Sequence, residues 1–263
     1  MAAKIVVSAP MDANRIRHAI ILAAGMGIRL RPLSRTIPKA LIPVHGATLL
    51  ERTLDALTQS GVEHMTIVTG HLGTMLRTFV GPTYNGVPIE YRENREYASS
   101  NSMHSLFVAR DTIDEDILAL HSDLLFESRV IPAVIQAPQK DVLVTADPIC
   151  NNDVVYVHMN DAHAISRITK DTSMASAMAY IGIAKLSYPL LKKVFRSIEA
   201  HADHMDEYLE TYLMKHQRDF GPVFACHCSN LIWGEVDTTL DLQFLLANVA
   251  PKLQVSAYTS ASS

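Results

Sequence analysis

"ILAAGMGIRLRPLSRTIPKALIPV", residues 21–44, opens as an apolar run, meets Gly25 and Gly27, and then carries four cations, Arg29, Arg31, Arg35 and Lys39. Pro32 and Pro38 interrupt the stretch between Leu30 and Lys39, so the cations do not form a helix face. With the residues just before it, "HAIILAA" (18–24) reads as a strand buried on both faces, as in a parallel sheet. In such sheets ligands bind beyond the carboxyl ends of strands. Glycines placed there let backbone N–H groups approach a phosphate chain with no Cβ in the way. Arg29 and Lys39 can neutralise that chain, and the prolines fix the loop that holds the lysine. The spacing is not that of the dinucleotide fingerprint, because no third glycine follows in place, and G-K-[ST] of a P-loop is also missing.

Working outward, strand and helix patterns alternate. "TLLERTLDALTQSG" (48–61) predicts a helix with a Thr48–Glu51 capping box and a Gly61 stop. "HMTIVTG" (64–70) and "PIEYRE" (88–93) predict strands, with a helix over 72–80 between them. "SSNSMHSLFVARD" (99–111) reads as a helix entered through polar caps, and "DILALHSD" (116–123) as a strand ending in an acid. A helix near 128–137 and the strand "DVLVTAD" (141–147) continue the alternation. The implied fold class is α/β, a Rossmann-like, mixed but mostly parallel sheet flanked by helices. Over 153–185 the pattern changes to short strands with little helix, which predicts a small β-rich insert. Helices return at 186–200, 203–216 and 238–248, and "NLIWGEVDT" (230–238) supplies a late strand. The expected organisation is a loose extension over 1–17, one domain over 18–250 with an acceptor lid at about 150–185, and a loose tail over 251–263.

The 263 residues, 48% of them hydrophobic, suffice for one sizeable core. A net charge of −4 with no basic block argues against duplex nucleic acid as a partner. No apolar run approaches the ~18 residues of a membrane span, so a soluble cytoplasmic protein is expected, with no membrane partner. Cys150, Cys226 and Cys228 do not make a disulfide framework. Cys226-His227-Cys228 alternates along one strand and reads as a half-buried strand rather than a metal cluster. His201, His204 and His216 fall on expected helices, where solvent exposure is the plainer reading.

The stretch as a whole resembles the signature of the nucleotidyltransferases acting on sugar phosphates and phosphocholine. The matched positions are Leu22, Ala23, Ala24, Gly25, Gly27, Arg29, Leu30, Pro32, Leu33, Ser34, Pro38, Lys39, Leu41, Pro43 and Val44. Downstream, "GVEHMTIVTGH" (61–71), "HSDLLF" (121–126) and "WGEVDTTLDL" (233–242) are similar to later family motifs. The resemblance implies attack on the α-phosphorus of a nucleoside triphosphate with release of pyrophosphate. It implies nucleotide binding by Leu22, Ala23, Ala24, Gly25, Gly27, Arg29, Lys39 and Gly70. It also implies Mg²⁺ as cofactor, held by Asp123 and Asp237, a hard cation suited to carboxylate oxygen. Asp241 reads instead as a helix residue.

The tract "YRENREYASSNSMHSLFVARD" (91–111) is similar to the cytidylyltransferase branch acting on phosphocholine and on small phosphonates. Its Tyr91, Asn94, Tyr97, Ser100, Asn101, Ser105 and Leu106 match, while Ser102 stands where the family has a second asparagine. The implied partners are CTP and a small phosphonate or phosphomonoester: a 2-hydroxyalkylphosphonate, 2-aminoethylphosphonate or phosphocholine. A homodimer is the implied assembly. Ser100, Asn101 and Ser102 at a helix start, Lys170 ending "AISRITK", and Tyr180 are the expected acceptor contacts. Arg29, Lys39 and Lys170 are the expected catalytic cations. Asp153 falls where the branch often has an acid. Met178 and Ala179 replace the glycine and glutamate that often precede "YIGI", which argues for an acceptor without positive charge there. The rival readings are a sugar-1-phosphate uridylyl- or thymidylyltransferase and a non-catalytic nucleotide-binding regulator.

Overall fold

A computed structural model describes residues 15–149, 154–171, 173, 178–201 and 206–253. The expectations for the two chain ends (1–14 and 254–263), and those for Cys150, Asp153 and His204, lie outside the described residues. The elements in chain order begin with β1 (His18–Ala23), β2 (Pro43–Val44), β3 (Ala47–Thr48), α1 (Leu49–Gln59), β4 (His64–Thr69), α2 (Gly73–Val80), β5 (Thr83–Tyr84) and β6 (Val87–Glu93). Then come α3 (Ser102–Val108), β7 (Ile117–His121), β8 (Leu124–Phe126), α4 (Val130–Gln136), β9 (Val142–Ala146), β10 (Val155–Met159), β11 (Ile165–Thr169) and β12 (Ala179–Leu186). The last are α5 (Tyr188–Ala200), α6 (Leu209–Lys215), α7 (Gln217–Phe220), β13 (Phe224–Cys228), β14 (Trp233–Glu235) and α8 (Thr239–Phe244).

Among the described residues, ten strands form one sheet. β1 lies at its centre, parallel to β4 and to β7, and β4 is parallel to β6. β12 runs antiparallel between β7 and β9, and β13 is parallel to β9. The expected β-rich insert is thus built into the sheet and its edge. β12 is part of the central sheet, and the β10–β11 hairpin extends its N-terminal end.

The opening apolar run shows why β1 is central. Ala19, Ile21 and Ala23 pack into one core cluster, with Leu50, Leu54 and Leu57 of α1 and Val130 and Val134 of α4. Ile20, Leu22 and Ala24 point the other way, into a second cluster with Met103 and Leu106 of α3, Leu190 and Val194 of α5, and Tyr212 of α6. A period of two with both faces apolar demands helices on both sides. Each fully buried aliphatic side chain contributes about 1.5–3 kcal/mol to that arrangement.

Local chemistry sets the boundaries. Thr48 Oγ1 accepts from Glu51 N at 3.1 Å and Glu51 Oε2 accepts from Thr48 N at 2.7 Å, so the predicted capping box starts α1. Thr238 and Asp241 form a second capping box at α8, which makes Asp241 a helix residue as expected. α3 is shorter than the 99–111 reading: residues 94–101 are held as a loop by the Asn94 side chain. Its Nδ2 donates to Ser100 Oγ and Ser105 Oγ, each at 3.0 Å. His18 at the start of β1 is buried and pairs with Thr66 Oγ1 at 2.9 Å. Burial, then the neighbouring His64 ring, pushes its pKa down to about 3.

Candidate functional site

The 21–44 stretch leaves β1 as three single helical turns, Ile28–Leu30, Leu33–Arg35 and Lys39–Leu41. Gly27 takes the left-handed conformation (φ 56°), which a side chain would strain. Its carbonyl accepts from Leu30 N at 2.9 Å and from Ser34 Oγ at 2.6 Å, so the chain folds back on itself. A Cβ at Gly25 would meet nothing within 4 Å, and the loop faces open space there. Leu30, Leu41 and Ile42 are buried and anchor the turns, which leaves Arg29 and Lys39 on the cleft side.

Sheet register brings the acids to this loop. Leu22 of β1 pairs with His121 of β7, so Asp123 follows the β7 end directly beside the glycine loop. β8 pairs with β14, Glu235 opposite Leu124, and Val236 N donates to the Asp123 carbonyl at 3.0 Å. Asp123 and Asp237, distant in sequence, thereby converge on Lys39. Its Nζ donates to Asp123 Oδ2 and to Asp237 Oδ1, each at 2.5 Å. Arg29 Nη2 lies 3.0 Å from Asp237 Oδ2. Burial disfavours the Lys39 charge, but Asp123 and Asp237 outweigh it and raise its pKa. Burial likewise opposes the Asp123 charge, and Lys39 outweighs it, so Asp123 stays ionised below the usual carboxylate range.

The donor cluster is wider than the two predicted acids. His121, Asp123 and Glu235 offer ligand atoms within 4.8 Å of one another, the one grouping of three such residues among the described residues. Asp123 Oδ1 is buried without a hydrogen-bond partner among the described residues. Burial, then the Asp123 and Asp237 charges, pushes Glu235 well above its ordinary pKa, which a cation would reverse. This oxygen-rich set fits a hard divalent cation. His121 and Glu235 were missed, although a signal existed: each stands two residues before a predicted acid in extended chain, where side chains share a face. Cys226, His227 and Cys228 take no part, lying on β13 with Cys228 buried and His227 Nε2 3.6 Å from Asp147.

These groups line one cleft of about 510 Å³. Leu22, Ala23, Ala24, Gly25, Gly27, Arg29, Lys39, Asp123 and Asp237 line it together with Ser100, Asn101, Ser102, Lys170 and Tyr180. Gly70 does not line it. A Cβ there would stand 2.6 Å from the Ala24 carbonyl and 2.7 Å from Tyr97 Cβ, so Gly70 lets β4 back the loop closely. Asn101 and Ser102 also have a structural task. The Asn101 amide donates to the Asp206 carbonyl, and Ser102 Oγ accepts from Leu209 N at 2.9 Å. They thereby hold the start of α6, which brings Tyr208 and Glu210 into the cleft, two residues the sequence reading passed over. Trp233 lines the cleft with its indole N–H donated to the Asp147 carbonyl at 3.1 Å.

Residues 18–220 match the family model described as "Nucleotidyl transferase". A CMP-5'-(3-aminopropyl)phosphonate synthase of Streptomyces rubellomurinus is 31% identical over 185 residues, covering 70% of this chain and 29% of that protein. The chain thus spans less than a third of that relative's length. A 2-aminoethylphosphonate cytidylyltransferase of Lancefieldella rimae is 28% identical over 201 residues, 74% of each chain. The structure of the inositol-1-phosphate CTP transferase from T. maritima superposes with a TM-score of 0.76 at 22% identity, covering 91% of this chain and 96% of that one. At that identity the likeness establishes the fold. Among the described residues no helix is long and apolar enough to cross a membrane.

Proposed function

The chain belongs to the nucleotidyl transferase family, and from that premise we propose that it transfers CMP from CTP to a small phosphonate or phosphomonoester, releasing pyrophosphate. The observation that carries the proposal is the convergence of Lys39 on Asp123 and Asp237 beside the Gly25–Gly27 loop. Relatives named for CMP-phosphonate synthesis and for 2-aminoethylphosphonate cytidylyl transfer support the nucleotide and the acceptor class.

In the proposed reaction an acceptor oxygen attacks the α-phosphorus of CTP. A new P–O bond forms as the bond to the β-phosphate oxygen breaks, and that electron pair leaves with pyrophosphate. Such a displacement needs charge neutralisation and alignment more than covalent help. The backbone of residues 22–27 cradles the triphosphate, and Arg29 supplies a planar fork of donors to it. Lys39, buried and fully charged, stabilises negative charge developing at the α-phosphoryl group. Asp123 and Asp237, with His121 and Glu235 beside them, would hold Mg²⁺, which when bound neutralises phosphate oxygens as a Lewis acid. Lys170 holds the acceptor's anionic end by charge.

Pyrophosphate release from CTP, UTP, dTTP and ATP, each with a phosphonate or phosphomonoester acceptor, tests the proposal. CTP turnover well above the other three supports it. Turnover of UTP or dTTP without CTP refutes it in favour of sugar-1-phosphate chemistry.

A further inference from the structure

Among the described residues, three buried polar atoms of the cleft besides Asp123 Oδ1 have no hydrogen-bond partner: His121 Nε2, Tyr180 Oη and Glu210 Oε2. They come from β7, β12 and α6. The His121 and Tyr180 rings meet edge to face with centroids 6.3 Å apart. Burial keeps the Tyr180 phenol protonated, and Glu210 is the strongest charge acting on it. Glu210 is 4% exposed, yet it lines the cleft. Burial raises the Glu210 pKa, the fields of His121 and Lys170 oppose that rise, and neither group hydrogen-bonds to Oε2.

A buried carboxyl group with an unpaired oxygen is costly, so a protein keeps one where a ligand completes it. The position is not accidental packing. Three contacts fix the chain that presents it: Leu209 N to Ser102 Oγ at 2.9 Å, Met103 N to the Glu207 carbonyl at 3.3 Å, and the Asn101 amide to the Asp206 carbonyl. The cleft thus offers Lys170 for an anion and Glu210 for a cation. The absence of a glutamate before "YIGI" argued for an uncharged acceptor tail, and Glu210 supplies the missing carboxyl from a different element.

We infer that Glu210, with Tyr180 Oη beside it, receives a primary ammonium group of the acceptor, so that the protein takes an amino-bearing phosphonate or phosphate in preference to its hydroxyl counterpart. The inference rests on the CMP-transfer reading and names its acceptor class. A primary ammonium offers three N–H donors and a charge to these oxygens, whereas a hydroxyl offers one donor and no charge. A quaternary ammonium has no N–H to give and calls for an aromatic cage instead.

The test compares kcat/KM for 2-aminoethylphosphonate and 2-hydroxyethylphosphonate, matched in length, in the wild type, Glu210→Gln and Glu210→Asp. The wild type prefers the amine. Glu210→Gln lowers the ratio between the two acceptors about ten- to a hundredfold, the effect of losing a charged hydrogen-bond partner. Glu210→Asp retains more of the preference. A merely structural role for Glu210 moves both acceptors equally and leaves the ratio unchanged, which overturns the inference, as does wild-type preference for the hydroxyl compound. Calorimetric titration of 2-aminoethylphosphonate, with Mg²⁺ and a non-hydrolysable CTP analogue present, separates the two readings. Binding that weakens in Glu210→Gln upholds the ammonium site even if no acceptor turns over, in which case the transfer reading alone fails. Equal binding by both proteins, or none by either, overturns the ammonium site.

Discussion

Replacing Lys39 by Met removes a cation that touches both convergent acids. Its Nζ stands 2.5 Å from each carboxylate, and the side chains of Lys39, Asp123 and Asp237 are 12%, 17% and 18% exposed. Breaking a buried ion pair from one side costs about 3–5 kcal/mol, because the stranded charges keep their desolvation penalty. Glu235, its pKa pushed well up, adds little charge, and Arg29 still pairs with Asp237, so the lower half of that range is expected in the absence of metal. The penalty depends on pH. Asp123 has a depressed folded pKa, so its contribution is present above its unfolded value and lost as pH falls through the folded one. In the variant Asp123 loses Lys39 and protonates at higher pH, so the difference from wild type narrows toward about pH 4. Mg²⁺ competes with Lys39 for the same oxygens, so it is expected to stabilise the variant by about 2.7 kcal/mol at a hundredfold excess over its dissociation constant, and the wild type by less. Urea unfolding of both proteins at neutral pH, in chelator and in millimolar Mg²⁺, measures these quantities. A penalty below about 1 kcal/mol, or one that Mg²⁺ leaves unchanged, refutes the reasoning that these acids form a cation site.

Gly182 of β12 has φ +78°, and a Cβ there would lie 3.0 Å from His121 Nδ1. Gly182→Ala is therefore expected to cost about 1–3 kcal/mol in urea unfolding and to slow turnover by displacing His121; a neutral outcome on both counts contradicts the close approach. Asp123→Asn is expected to lower turnover about a hundred- to a thousandfold, the scale of losing one preorganised electrostatic group, and wild-type-like kinetics would show that the acid is misassigned. Because the folded pKa of His18 is depressed to about 3, the unfolded chain binds the proton more readily below about pH 6.5 and stability falls on acidification. That one group accounts for about 2 kcal/mol between pH 6.5 and 5, which Val in its place removes; equal pH slopes in urea unfolding for the two proteins would contradict this.

The glycine loop, Lys39 and the strand-end acid Asp123 were legible because local rules carry them, and Asp237 through the resemblance to the family's late motif. An apolar run with period two marks the strand, positive φ needs Gly27, and acids at strand ends face the cleft. Glu210 was not legible. It enters through hydrogen bonds that join residues 105 and 107 positions apart, Asn101 to Asp206 and Ser102 to Leu209. No periodicity records such contacts, and α6 itself reads only as an amphipathic helix. Glu235 lay between the two extremes: it sits inside the quoted motif, but its partnership with Asp123 depends on the β8–β14 ladder. How the β-rich insert over 153–185 joins the rest was not legible for a related reason. Short antiparallel strands look alike whether they stand apart or join a larger sheet, and the pairing of β12 with β7 and β9 decides which.

The most direct test of the transfer itself is phosphorus NMR of CTP, Mg²⁺ and 2-aminoethylphosphonate incubated with the protein. The account predicts pyrophosphate together with two new resonances coupled to each other, the nucleotide α-phosphorus and the phosphonate phosphorus joined through one oxygen. Consumption of CTP to CMP with the phosphonate resonance unmoved would contradict it.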